Sequence, residues 1–101
     1  MTENPDAPAL VADIGGTHVR FALSAASGGL GCRQTLDCAD FESPADAGES
    51  YLSGLQLGQR PRLACFAVAS PVDGDRVEMT NQVWAFSVEE TRRRLGLDRL
   101  E

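Results

Sequence analysis

Leu10-Val11-Ala12-Asp13-Ile14-Gly15-Gly16-Thr17-His18-Val19-Arg20-Phe21-Ala22-Leu23 is the stretch whose reading decides the fold. The run from Ala9 to Ile14 is short and mostly apolar and stops at two glycines, as a buried strand does on meeting a tight turn. Beyond the turn, residues 19–24 alternate apolar with polar or small side chains, the period of a strand with one covered face. The two runs predict a β-hairpin whose turn contains Gly15-Gly16-Thr17.

Working outward, residues 27–31 are a second turn signal and residues 32–38 read as a third strand. Ser43 can N-cap a helix, Pro44 suits its first position, and Asp46 and Glu49 suit its N-terminal end. Ala47, Tyr51, Leu52 and Leu55 give that helix one apolar face. Gly54 weakens it, and Gly58 is the expected stop. Residues 63–69, flanked by Pro61 and Pro71, are the most apolar stretch and predict a buried central strand, with Cys65 as a small hydrophobe inside it. Residues 71–75 read as a turn and residues 76–80 as a short strand. Trp84 and Phe86 precede the last helix and are expected in the core rather than as a sugar platform. Ser87 and Glu90 have capping-box spacing, and Gly96 is the expected C-cap. The predicted class is α/β, with the α+β element order βββαββα.

Composition narrows the function. The 101 residues carry 9 Lys+Arg against 15 Asp+Glu, a formal charge of −6, and all the cations are arginines. Arg92-Arg93-Arg94 sits among acids and reads as a solvated face, so nucleic acid and anionic membrane are not expected partners. The 3 cysteines, Cys32, Cys38 and Cys65, have no metal-ligand spacing, and His18 is the sole histidine. Residues 1–8 read as a short disordered lead without signal-peptide character, and residues 9–101 as one small domain. No apolar run approaches the ~20 residues of a membrane span. A reduced, cytoplasmic setting is the expectation.

The chemistry concentrates at the first turn. Paired glycines can adopt backbone angles closed to other residues and admit a ligand to the main chain, and their N–H groups can form a concave anion site. Thr17 adds a hydroxyl, Asp13 can hold Mg²⁺ through water, and Arg20 can offset phosphate charge or brace the loop. An ordinary Gly-Gly hairpin with Asp13 as a turn residue fits the same short string. Residues 69–75 emerge where open sheets place ligand-contacting groups, and also read as a plain turn. Asn81 suits either a polyol hydroxyl or the local backbone.

The order and spacing of three signatures are more specific than any one of them. Residues 10–17 with Arg20-Phe21-Ala22-Leu23, then residues 67–75, then Thr80-Asn81 with Trp84-Ala85-Phe86-Ser87, resemble the bacterial glucokinases of the hexokinase–actin superfamily. The resemblance implies a ribonuclease-H-like small domain and transfer of the γ-phosphoryl group of ATP to the 6-hydroxyl of glucose with Mg²⁺. It assigns nucleotide binding to Ala12, Asp13, Ile14, Gly15, Gly16 and Thr17, with Arg20 alongside, and the hydrated metal to Asp13. Asn81 becomes a sugar contact. His18 stands where the family usually has Asn, Val19 where a small residue is common, and Ser70 where Gly or Cys is usual; His18 is expected to be a tolerated hairpin residue rather than an acid catalyst. The family's general base, an Asp, is expected beyond Glu101, as are its larger domain and further sugar ligands. The chain is therefore expected to be inactive alone, with glucose and ATP as partners of a longer parent and with self-association through an exposed interface. The alternative is a non-catalytic nucleotide-binding or interaction domain.

Overall fold

Residues 8–25, 29–55, 60–68, 72–79 and 84–101 are described by the structure, a computed structural model. Ala9–Ile14 (β1), His18–Ser24 (β2) and Leu30–Asp37 (β3) form an antiparallel meander. A 3-10 turn at Cys38–Asp40 leads into helix α1, Pro44–Ser53. Strand β4, Leu63–Val68, then runs parallel to β1. Three short strands follow as a small antiparallel sheet: β5 (Val72–Asp73), β6 (Arg76–Glu78) and β7 (Ala85–Ser87). Helix α2, Val88–Arg94, ends the turn of the chain that brings β8, Arg99–Leu100, parallel to β4. The main sheet has the order β3-β2-β1-β4-β8, so β1 lies at its centre.

Strand alternation sorts the side chains. Leu10, Ala12 and Ile14 of β1 are buried with Val19, Phe21 and Leu23 of β2 and Ala64 of β4. All lie on one face of the sheet, where Ala47, Tyr51 and Leu52 of α1 join the same core. Phe21 stacks on Tyr51 with ring centroids 5.0 Å apart, an aromatic contact that fixes α1 over the hairpin. Gly48 marks the closest approach of the two helices: a Cβ there would stand 3.2 Å from Leu95 Cδ1.

The caps follow sequence closely. Ser43 Oγ accepts the Asp46 N–H at 3.3 Å and Ser87 Oγ accepts the Glu90 N–H at 3.1 Å. Gly96, with φ +69°, ends α2 while Gly96 N–H bonds Arg93 O and Leu97 N–H bonds Arg92 O, the paired bonds of a Schellman motif. Trp84 and Phe86 are core residues as expected, and Trp84 Nε1 donates to the Phe41 carbonyl at 2.9 Å.

Several expectations are corrected. Helix α1 ends at Ser53 with Gly54 as its cap, and Gly58 lies outside the described residues. Residues 72–73, read as part of a turn, pair with β6, and the turn itself is Gly74-Asp75. β7 and β8 have no counterpart in the predicted order, because two- or three-residue strands have no period to read. β7 pairs with the neighbouring β6, and β8 exists through distant partners: Phe66 N–H donates to Glu101 O at 2.7 Å and Glu101 N–H to Ala64 O at 3.0 Å. β4 is interior to the sheet but covered on one face only, so Cys65 and Ala67 are exposed. Asp75 also does more than turn: its carboxylate accepts Ser87 Oγ–H and, at 2.7 Å, the Glu89 N–H, adding a second cap to α2.

Candidate functional site

The β1–β2 turn is built by two effects. The register pairs Ile14 with Val19, both buried, so the hairpin must close within residues 15–18. Gly15 N–H donates to the His18 carbonyl at 2.9 Å and tightens the loop from inside. A Cβ on Gly15 would stand 3.2 Å from that oxygen, so any side chain there would push the turn open by a few tenths of an ångström. The expectation that these glycines are required for their backbone angles is not met. Among the described glycines, positive φ occurs at Gly74 and Gly96, not at Gly15 or Gly16.

Gly16 and Thr17 are exposed, and their N–H groups have no acceptor among the described residues. Such donors at the end of a rigid strand suit an anion, because nothing must be broken to use them. Asp13 and Arg20 are Cα partners across the ladder, both exposed on the face away from the core. Neither side chain hydrogen-bonds or pairs with another described residue. Ala12 and Ile14 face the core at 5% and 1% exposure, so their side chains are structural and only their backbone is near the turn. A concavity of about 500 Å³ spreads over the open face between Asp13, Arg20, Arg33, Thr35, Ala67 and Leu30. Asn81 and Ser70 lie outside the described residues.

Two neighbours of the turn escape sequence reasoning. His18 Nε2 lies 3.1 Å from Asp37 Oδ1, its Cα partner on β3, with both side chains more than half exposed. Cys38 follows and is 1% exposed. Its N–H donates to the Thr17 carbonyl at 2.9 Å, and its thiol donates to the Gly15 carbonyl at 3.7 Å. Burial pushes that thiol pKa up, with the nearby Asp37 charge adding to the shift. Only the β2–β3 register brings these residues to the turn, so no local signal announces them.

A second cleft, of about 380 Å³, is lined by Arg60, Arg62, Arg93 and Arg94. It offers little to an anion, because Glu49, Asp98, Glu89 and Asp46 respectively already pair with these guanidiniums. Among the described residues, no cluster of three or more His, Cys, Asp or Glu is arranged to hold a metal ion. No helix described is long and apolar enough to cross a membrane.

Fold and site together define a mixed α/β domain with a glycine turn and a carboxylate at the end of its central strand. The Glucokinase family model matches residues 10–101, and the chain belongs to that family. It is 52% identical over 92 residues to a glucokinase of Paramagnetospirillum magneticum, covering 91% of this chain and 29% of that one. A bifunctional protein glk of Paraburkholderia xenovorans is 47% identical over 98 residues, 97% of this chain and 15% of that one. Among solved structures, a glucokinase from an Antarctic psychrotroph superimposes with a TM-score of 0.83 at 40% identity, covering 93% of this chain and 31% of that one. The chain thus spans under a third of the length of these relatives.

Proposed function

We propose that these residues are the phosphate-binding portion of an ATP-dependent glucokinase. The observation that carries this is that the Gly16 and Thr17 N–H groups and the Asp13 carboxylate have no partner among the described residues, in a chain of the glucokinase family. The β3-β2-β1-β4-β8 order supports a ribonuclease-H-like small domain, with residues 9–101 as its extent.

In that role the turn amides and the Thr17 hydroxyl bind phosphate oxygens, and Arg20 offsets their charge. Asp13 holds hydrated Mg²⁺, which neutralises phosphate charge as the γ-phosphoryl group moves to the sugar 6-hydroxyl. Ala12 and Ile14 hold the strand in place from the core side. Asn81 serves the sugar. The turn residues bind and orient phosphate and cation and leave deprotonation of the sugar hydroxyl to a general base that none of them supplies, in a cytoplasmic setting. The charge of −6 supports small-molecule partners over nucleic acid or an anionic membrane.

Calorimetry with ATP-Mg²⁺ tests the reading: wild type binds, and Asp13→Ala weakens binding at least fivefold. Equal affinities would remove Asp13 from the site. A second reading, an interaction domain, is favoured by the open sheet face, which carries a 50% exposed Leu30 on β3 and exposed Ala67 and Cys65 on β4. Sedimentation at rising concentration decides it, with self-association as the expected sign.

A further inference from the structure

The geometry points to Cys38 as the positioning residue of the turn: its thiol holds the Gly15–Gly16 peptide in the one orientation that presents the Gly16 N–H outward. The functional consequence rests on the phosphate-binding reading; the positioning itself does not.

A trans peptide points its carbonyl and its following N–H in opposite directions. With the Gly15 carbonyl drawn to the Cys38 thiol at 3.7 Å, the Gly16 N–H must face away from Cys38. A Gly-Gly peptide has little steric resistance to flipping, so an outward amide needs a lock on the other side. Cys38 supplies a second tie through its own N–H to the Thr17 carbonyl at 2.9 Å. Both carbonyls at the ends of the turn are thereby bonded to one buried residue. The thiol is 1% exposed and burial raises its pKa, so it remains an S–H donor at neutral pH. The His18–Asp37 pair closes the rim immediately before Cys38.

The test compares Cys38→Ala and Cys38→Ser with the exposed-site control Cys65→Ser in the full chain. Amide hydrogen exchange by NMR is read at Gly15 and at residue 38 against the β1–β2 ladder. The expected result for Cys38→Ala is roughly three- to tenfold faster exchange at those two amides beyond any uniform change, the size of one lost weak hydrogen bond. Cys38→Ser keeps a donor of shorter reach and should lose less, and Cys65→Ser should match wild type. Inorganic tripolyphosphate with Mg²⁺ should shift the Gly16 and Thr17 amide resonances, with three- to tenfold weaker affinity in Cys38→Ala. Uniform acceleration across the ladder, or none at Gly15 and residue 38, overturns the proposal. Absence of tripolyphosphate shifts in wild type defeats the phosphate-binding reading, while the exchange pattern still decides Cys38. Should both Cys38 variants fail to fold, wild type alone decides: the Gly15 and Cys38 amides must be as protected as the ladder, and free exchange there overturns the assignment.

Discussion

Asp13 and Arg20 stand directly opposite each other across the β1–β2 ladder, in a row that continues to Thr35 on one side and Ala67 on the other. The row lies on the open face of the sheet, one residue before the turn. An acid and a base that face each other there without an ion pair are both at liberty to meet a ligand of either charge.

Replacing Arg20 by Gln should therefore separate stability from binding. An opposed charge pair on a sheet contributes about 0.2–1 kcal/mol, so the urea midpoint should move little. Affinity for ATP-Mg²⁺ should fall several-fold by calorimetry. A large loss of stability with unchanged affinity would make Arg20 a brace.

Ser43 caps α1 and also accepts from Arg94 Nη1 at 3.3 Å, tying the two helices together at one hydroxyl. Ser43→Ala should cost about 1 kcal/mol and lower Tm by several degrees in a domain of this size. Thermal melts by circular dichroism measure it directly.

The acid limb of stability should bear the mark of Asp46. The Arg94 guanidinium, 2.5 Å away, and then the Ser43 hydroxyl hold this carboxyl below its usual range. A depressed folded pKa means the contribution is complete above the unfolded value of about 4 and is lost as pH falls through the lower folded one. Glu49, held down chiefly by Arg60, acts in the same sense. Urea titrations from pH 6 to 2 should show stability falling with acid, and Asp46→Asn should flatten that slope. At neutral pH this half-exposed pair is worth about 0.5 kcal/mol.

Cys32 is the one described non-glycine residue with positive φ, +54°, close to where the β2–β3 register shifts. Its carbonyl accepts the Tyr51 hydroxyl at 2.5 Å. Cys32→Gly should raise stability by about 1 kcal/mol by relieving the left-handed backbone while keeping that carbonyl. Tyr51→Phe should lose about 1 kcal/mol, since only the hydrogen bond goes and the stack on Phe21 stays. A destabilised Cys32→Gly would show that the thiol side chain matters at this position.

Local grammar made much of this chain legible. A short apolar run exposed β1 and alternation β2, Ser43-Pro44 and Ser87-x-x-Glu90 announced both helices, and Asp13-x-Gly-Gly-Thr marked the turn. Each is a short-range effect, carried by residues within about one turn of one another. The short strands β7 and β8 were beyond reach, because two or three residues show no period, and the partner of β8 lies far along the chain.

The sequence by itself determined the hairpin, its glycine turn, the two capped helices and the apolar face of α1, since periodicity and capping act between near neighbours. Only the tertiary structure decided which strand lies at the centre, which face of β4 stays open, and that Asp37 and Cys38 sit beside the turn. Those depend on strand register, between β1 and β4 far along the chain and between β2 and β3 across a hairpin. A one-residue slip there would carry Cys38 to the other face and leave the Gly15–Gly16 peptide unheld.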